Sequence, residues 1–340
     1  MGLFNWRGTV LIRTGSRGCE YNRPVPDPLV SVVVSTCNRP ARLQRLLASL
    51  RAQSLSPDAF EVVVVDDGSG PETRTAIENE TNAPGMTVRT VRHELPLGPG
   101  AGRNSGWRAA RAPLVAFTDD DCVADAGWLS AALAVCSEAP EAIVQGRTQP
   151  DPSEINLDGV LSRTIRVERL GPQYETCNIL YPRAVLESLG GFDERFGLSP
   201  GGEDTDLAWR AIEAGWRTAF APAAVVFHAV QPLGVRGMLR VAARWSAVVR
   251  IFAEHPQLRT TLERGMFWNV WHYLLWRSLL ALLAPGWLRR LVLTKHLLEL
   301  RQRAREAGAG SWAVPFLLVH DVVECWAVAR GAVRYRTLVL

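Results

Sequence analysis

Phe117-Thr118-Asp119-Asp120-Asp121 ends the apolar stretch Pro113–Phe117 with three adjacent carboxylates. Like charges crowded at a strand end repel one another, and a divalent cation that neutralises them makes the cluster tolerable. Hard cations take oxygen ligands, and Mg²⁺ or Mn²⁺ commonly bind one or two carboxylates together with substrate phosphates. The run therefore points to a metal–diphosphate site. A plainer reading has the aspartates capping the next helix, where negative charge suits the N-terminal dipole. Asp125, just ahead of the apolar stretch Trp128–Val135, is better placed for that job.

Working outward, Leu29–Ser35 is a β-branched run and reads as a buried parallel strand. The turn Thr36-Cys37-Asn38-Arg39-Pro40 follows. Ala41–Leu50 carries Leu43, Leu46, Leu47 and Leu50 at the spacing of one helix face. Phe60–Val65 is a second strand that ends at Asp66-Asp67-Gly68-Ser69. A helix near Glu72–Glu80, a strand at Met86–Arg92 and a glycine-rich turn at Gly98–Gly106, leading into a helix through Arg111, complete the approach to Asp119. This alternation predicts an α/β fold with a mostly parallel sheet. Ligands of such sheets bind beyond the carboxyl ends of the strands. Thr36–Arg39, Asp66–Ser69 and Asp119–Asp121 all fall there. Downstream, Gly190-Gly191-Phe192-Asp193-Glu194 reads as a turn. Gly201-Gly202-Glu203-Asp204-Thr205-Asp206 opens an amphipathic helix, Leu207–Ala214, and Trp216–Val226 reads as a strand leading to Phe227-His228.

Three regions follow. Residues 1–28 form a polar N-terminal arm ending in Pro24-Val25-Pro26-Asp27-Pro28; 29–232 form the α/β domain; 233–340 form a helical region holding most of the tryptophans. Within that last region Met266–Ala284 and Ser311–Ala329 are largely apolar but interrupted, the first by Asn269, His272 and Arg277, the second by His320, Asp321 and Glu324. Their length is marginal for a bilayer span and charge inside one is costly. Helices lying in the membrane interface, with tryptophan and arginine at the boundary, fit better; a helical subdomain packed on the core is the other reading. The N-terminus has no continuous apolar core, so no signal peptide is expected. Net charge is +4, almost every base is arginine, and no dense basic block argues for nucleic acid. Six scattered cysteines give neither a zinc pattern nor a disulfide framework, which suits a reducing cytoplasm.

Taken in order, the segments Val32–Arg39, Val64–Ser69, Gly102–Gly106, Thr118–Asp121, Gly190–Glu194 and Gly202–Leu207 resemble the family-2 glycosyltransferases, which have the GT-A fold and invert anomeric configuration. The likeness covers about Val30 to His228. It implies that Thr36, Asn38 and Arg39 border the nucleotide. It implies that Asp67 accepts the uracil-like edge of the base, with Asp66 supporting that loop, and that Arg103 and Asn104 face the donor. Asp119 would contact ribose or metal, Asp120 would belong to the same donor-binding run, and Asp121 would ligate Mn²⁺ or Mg²⁺, with His228 as a further ligand. Asp204 would be the general base, with Glu203 binding or orienting the acceptor. A uridine or thymidine donor suits Asp67 better than guanosine. The acceptor implied is a saccharide or lipid-linked saccharide at the inner face of the cell membrane. The competing classes are a non-catalytic sugar-nucleotide-binding scaffold and a nucleotidyltransferase. The latter needs a basic, glycine-rich triphosphate loop where this chain has Thr36–Pro40. Polymerases of the family carry Gln-x-x-Arg-Trp, whereas Val241 precedes Arg244-Trp245 here, so single transfer is expected.

Overall fold

Val30, Val32, Val33 and Val34 are wholly buried, and so are Val62, Val63, Val64 and Val65. Strands apolar on both faces must be covered on both, which favours the middle of a sheet flanked by helices. The structure, a computed structural model that describes residues 27–198 and 201–340, has that arrangement. Its strands are β1 (Val30–Thr36), β2 (Phe60–Asp67), β3 (Thr87–His93), β4 (Leu114–Phe117), β5 (Cys122–Ala124), β6 (Ile143–Pro150), β7 (Ser162–Arg163), β8 (Ile179–Pro182), β9 (Thr218–His228) and β10 (Gln231–Pro232). Its α-helices are α1 (Pro40–Arg51), α2 (Pro71–Thr81), α3 (Pro99–Ala109), α4 (Trp128–Glu138), α5 (Arg183–Leu189), α6 (Glu203–Glu213), α7 (Gly234–Ala243), α8 (Val249–Glu254), α9 (Val270–Ala281), α10 (Gly286–Glu306) and α11 (Ala313–Tyr335). Of the expected arm 1–28, all but the last two residues lie outside the described residues.

Eight strands form one sheet in the order β3-β2-β1-β4-β8-β6-β9-β5. The first four run parallel. β8 is antiparallel to β4 and β6, β9 is parallel to β6, and β5 is antiparallel to β9. The chain winds outward from β1 to β3 and then returns to β4 on the other side of β1. The carboxyl ends of β1 and β4 thus flank a topological switch point, where open α/β sheets bind ligands. β7 and β10 make a separate ribbon with Arg163 opposite Gln231.

Three details depart from the sequence reading. The glycine run is part of α3 rather than a turn before it. A Cβ on Gly102 would lie 2.2 Å from the Ser35 hydroxyl, and one on Gly106 would lie 2.3 Å from a Val33 methyl. The glycines let this helix lie directly on β1. Glu203 and Asp204 occupy the first turn of α6 instead of preceding it. Asp125 is not the N-cap of α4: Gly127 is, and Asp125 accepts from the Gly127 amide at 2.9 Å. Strands β5, β6 and β8 had no legible pattern, because two are very short and β6 mixes Gln145, Arg147 and Gln149 into its run.

The C-terminal helices pack on the α/β region. Val248, Val249, Ile251 and Phe252 cluster with Val328 and Val339 and reach Phe196 and Trp209. Arg250 pairs with Asp193 at 2.7 Å, and His255 reaches Asp206 at 3.3 Å and Glu213 at 2.8 Å. Two of the charges that interrupt the apolar runs are matched across helices, Asp321 with Arg303 at 2.8 Å and Glu324 with His272 at 3.2 Å, whereas among the described residues the buried Nε and Nη2 of Arg277 have no hydrogen-bond partner. Among the described residues, no helix is long and apolar enough to cross a membrane.

Candidate active site

The strand ends of the switch point open into a cleft of about 1090 Å³. On one wall lie Thr36 and Asp67, the last residues of β1 and β2, and Arg39 in the loop after β1. Asp119–Asp121 after β4 and His228 at the end of β9 form the floor, and Arg103, Glu203 and Asp204 close the other side.

The aspartate triplet is divided by its partners. Asp119 bonds Arg103 at 3.0 Å and is the most exposed of the three. Asp120 is buried and accepts from the Thr36 hydroxyl at 2.7 Å and from Arg39 at 3.0 Å. Burial pushes its pKa up to about 6, against the pull of Arg39 and with the help of Asp121. Asp121 accepts from Arg39 at 3.1 Å and from Gln231 at 2.7 Å, and its other oxygen lies 3.6 Å from His228 Nε2. His228 Nδ1 is 2.9 Å from the Ala229 carbonyl. That bond puts a proton on Nδ1 and turns Nε2 toward Asp121. One carboxylate oxygen and one imidazole nitrogen, converging beside two further carboxylates, fit Mn²⁺ or Mg²⁺. Cys122 lies in the same cluster, but burial holds its thiol well above its usual pKa, and a neutral thiol is a poor ligand for such cations.

The opposite side is organised by Arg103, which donates to Asp119 and, at 3.1 Å, to Glu203. Burial opposes its charge, but Asp119 and Glu203 outweigh that and raise its pKa. Glu203 also accepts from the Gly201 amide at 2.8 Å. Asp204 keeps some surface on the cleft while sitting deep among protein atoms. Burial, then the charge of Glu203, push its pKa up to about 8, with Arg103 pulling the other way. Its one hydrogen bond among the described residues is a 2.9 Å contact to the Thr205 amide.

Three residues expected at the donor do not line the cleft. Asn38 has φ 56° and braces the β2–α2 turn instead, donating its amide to Ser69 and accepting from Gly70. Asn104 is one residue past Arg103, about 100° around the helix, and so faces away. It bonds Phe192, Trp107 and Glu194, which fixes the Gly191-Phe192 loop. Asp66 accepts from the Ser69 amide and from Arg92 and closes the turn behind Asp67. Asp67 lines the cleft, yet its carboxylate already holds His93 and the Leu97 and Gly98 amides. Conversely, Gln231, Arg163, Arg240 and Arg244 line the cleft without having been singled out as site residues. Gln231 and Arg163 come from the β7–β10 ribbon and Arg240 from α7, none with a local signature, while Arg244, just past α7, belongs to the incomplete Arg244-Trp245 signature.

Comparison with known proteins bears on the family and the fold. Residues 31–188 match the family described as glycosyl transferase family 2, and residues 174–320 match glycosyl transferase family group 2. Validoxylamine A glucosyltransferase of Streptomyces hygroscopicus subsp. limoneus is 32% identical over 218 residues, covering 54% of this chain and 48% of that protein. The pre-mycofactocin glycosyltransferase of Mycobacterium tuberculosis is 30% identical over 223 residues, covering 61% of this chain and 45% of that one. The chain spans about half the length of these curated relatives. Among solved structures, the mannosyltransferase PcManGT of Pyrobaculum calidifontis, in complex with GDP-Man and Mn²⁺, superposes with a TM-score of 0.57 at 20% identity. That match covers 91% of this chain and 87% of that one. With its ordered strand-end motifs, its sheet order and both family matches, the chain belongs to the family-2 glycosyltransferases of GT-A fold.

Proposed function

We propose that the chain is a metal-dependent inverting glycosyltransferase that moves a sugar from a nucleotide-diphosphate sugar to an acceptor hydroxyl. The observation that carries this reading is Arg103, whose one guanidinium joins Asp119, on the donor side, to Glu203, beside the proposed base. Donor and acceptor chemistry therefore share one cleft.

In this reading Thr36 and Arg39 border the nucleotide. Asp67 takes the base edge on the acceptor capacity left on Oδ2, which favours a uridine or thymidine donor. Asp121 and His228 hold Mn²⁺ or Mg²⁺, which when bound supplies charge stabilisation to the departing diphosphate. Asp204 removes the proton of the acceptor hydroxyl as that oxygen attacks the anomeric carbon from the face opposite the diphosphate. A base with a pKa near the working pH is suited to this. Glu203, held by Arg103 and the Gly201 amide, fixes the first turn of α6 and orients the acceptor. The acceptor is a saccharide or lipid-linked saccharide met at the inner face of the cell membrane. Exposed Leu280, Leu283, Trp287 and Leu291, beside exposed Arg289 and Arg290, support a membrane-surface setting.

A panel of UDP-, dTDP- and GDP-sugars with Mn²⁺, Mg²⁺ or EDTA, read by thermal shift and nucleotide release, tests the reading. Metal-dependent stabilisation by one donor, with slow metal-dependent hydrolysis, is expected. Metal-dependent donor binding without any hydrolysis or transfer would make the chain a binding scaffold.

A further inference from the structure

The end of β2 carries two aspartates, and the neighbouring strand matches each with a different base. Parallel register sets Asp66 opposite Arg92 and Asp67 opposite His93. Side chains alternate along a strand, so the two pairs point to opposite faces of the sheet. Arg92 pairs with Asp66 behind the turn. His93 Nδ1 stands 2.7 Å from Asp67 Oδ1, and Nε2 stands 2.8 Å from the Ser105 hydroxyl on α3. His93 is not among the described residues that line the cleft, and its side chain is only 10% exposed. It reaches the cleft through Asp67.

A carboxylate offers about four lone-pair positions. On Asp67, Oδ1 receives the His93 Nδ1–H and, at 2.9 Å, the Leu97 amide. Oδ2 receives the Gly98 amide at 2.9 Å, which leaves a position open on that oxygen. A guanidinium fork in place of the imidazole could span both oxygens, whereas a single ring N–H holds one. The terminal torsion of an aspartate is broad, so these partners set the plane of the carboxylate. The two amides belong to the loop between β3 and α3, and His93 ends β3 itself. Ser105 ties the imidazole to the same helix that presents Arg103.

We propose that His93, held by Ser105, is a positioning residue that aims the open acceptor of Asp67 Oδ2 at the nucleobase and so sets the preference for a pyrimidine with a ring N–H. This rests on the reading of Asp67 as the acceptor of the base edge. Uracil presents its N3–H to that oxygen. Cytosine presents a bare N3 acceptor, which would set lone pair against lone pair and leave the carboxylate position unpaired.

The test is calorimetric titration of wild-type protein and variants with UDP and with CDP, each in Mn²⁺. The quantity read is the ratio of the two affinities, which a partly unfolded sample does not change. Wild type should bind UDP about tenfold or more tighter than CDP. His93→Ala should bring that ratio close to parity. His93→Asn carries an amide N–H at the place of Nδ1 and should restore most of the preference. His93→Gln carries its amide at the place of Nε2, beside Ser105 and away from Asp67, and should behave like His93→Ala. Ser105→Ala should lower the ratio less, and should add nothing in the His93→Ala background, because it acts through the imidazole. A ratio unchanged in His93→Ala but lost in Asp67→Ala would overturn the proposal and keep Asp67 in its role. Asn and Gln variants impaired alike would also overturn it, reducing His93 to a packing residue. A ratio unchanged in Asp67→Ala, or a wild type without preference, would remove Asp67 from base recognition and take the proposal with it, and the family assignment would stand.

Discussion

Asp204 answers two opposed demands. A base must be ionised, yet burial and Glu203 hold its pKa near about 8. If it is the base, kcat/KM of the free enzyme should fall about tenfold per unit as pH drops below about 8 and level off above it. A profile flat from pH 6 to 9 would remove Asp204 from the role. Linkage gives a second expectation. Between the ordinary aspartate pKa of about 4 and about 8, the folded state holds a proton that the unfolded chain has released, so stability falls as pH rises through that window. Asp204→Asn should therefore lower kcat by about 10² to 10⁴, leave nucleotide binding in place and melt above wild type at pH 8, with the gap closing by pH 4. On the other side of the cleft, Asp121→Ala should abolish the Mn²⁺-dependent part of donor binding, measured as the difference between titrations in metal and in EDTA. Most of these residues were legible because their chemistry is local: acids at a strand end announce themselves. Asn38 and Asn104 turn away from the cleft, which their sequence context does not show because their aim depends on a left-handed backbone angle and on helix phase. Arg163 and Arg240 stay silent because nothing in their own neighbourhood marks them; Arg244 is marked only by the partial Arg244-Trp245 signature, and its place in the cleft emerges with the fold.

Elements were easiest to read where burial imposes a period. The leucines of α1 and the valines of β1 and β2 fall where their spacing put them. Helix α3 shows what the period hides: its glycines looked like a turn, but they are a contact surface. Two substitutions on the same helix separate the readings. Gly106→Ala drives a methyl into Val33 and should cost about 1–3 kcal/mol, seen as a lower midpoint in urea with unchanged slope. Gly100→Ala meets the Phe192 Cβ at an ordinary 3.6 Å and should cost little or nothing. Equal losses at both positions would mean that helix α3 does not rest on β1 through its glycines. Helix α10 escaped the reading for a related reason. It carries apolar residues on its solvent side, such as Trp287 and Leu291, as well as against α9 and α11, so no clean amphipathic stripe stands out.

At the scale of the whole molecule, that outward apolar side leads to a prediction of its own. The protein should sediment with vesicles rich in anionic lipid at low salt, and binding should weaken as salt screens Arg289 and Arg290. Trp287→Ser with Leu291→Ser should abolish the sedimentation without moving the melting temperature, since both side chains are already in water. Equal recovery in neutral and anionic vesicles would point to a purely apolar contact. The mixed sheet has a further, temporal consequence. Cys122 is registered opposite His228, so Asp121 and its imidazole neighbour come from segments far apart in the chain that meet only when β9 has docked between β6 and β5. A cation gripped by both has nothing to grip earlier on the folding route. Its stabilisation then falls on the native side of the barrier: Mn²⁺ should slow unfolding while leaving the refolding rate as it is, making the ion a latch on the finished sheet rather than a seed for it.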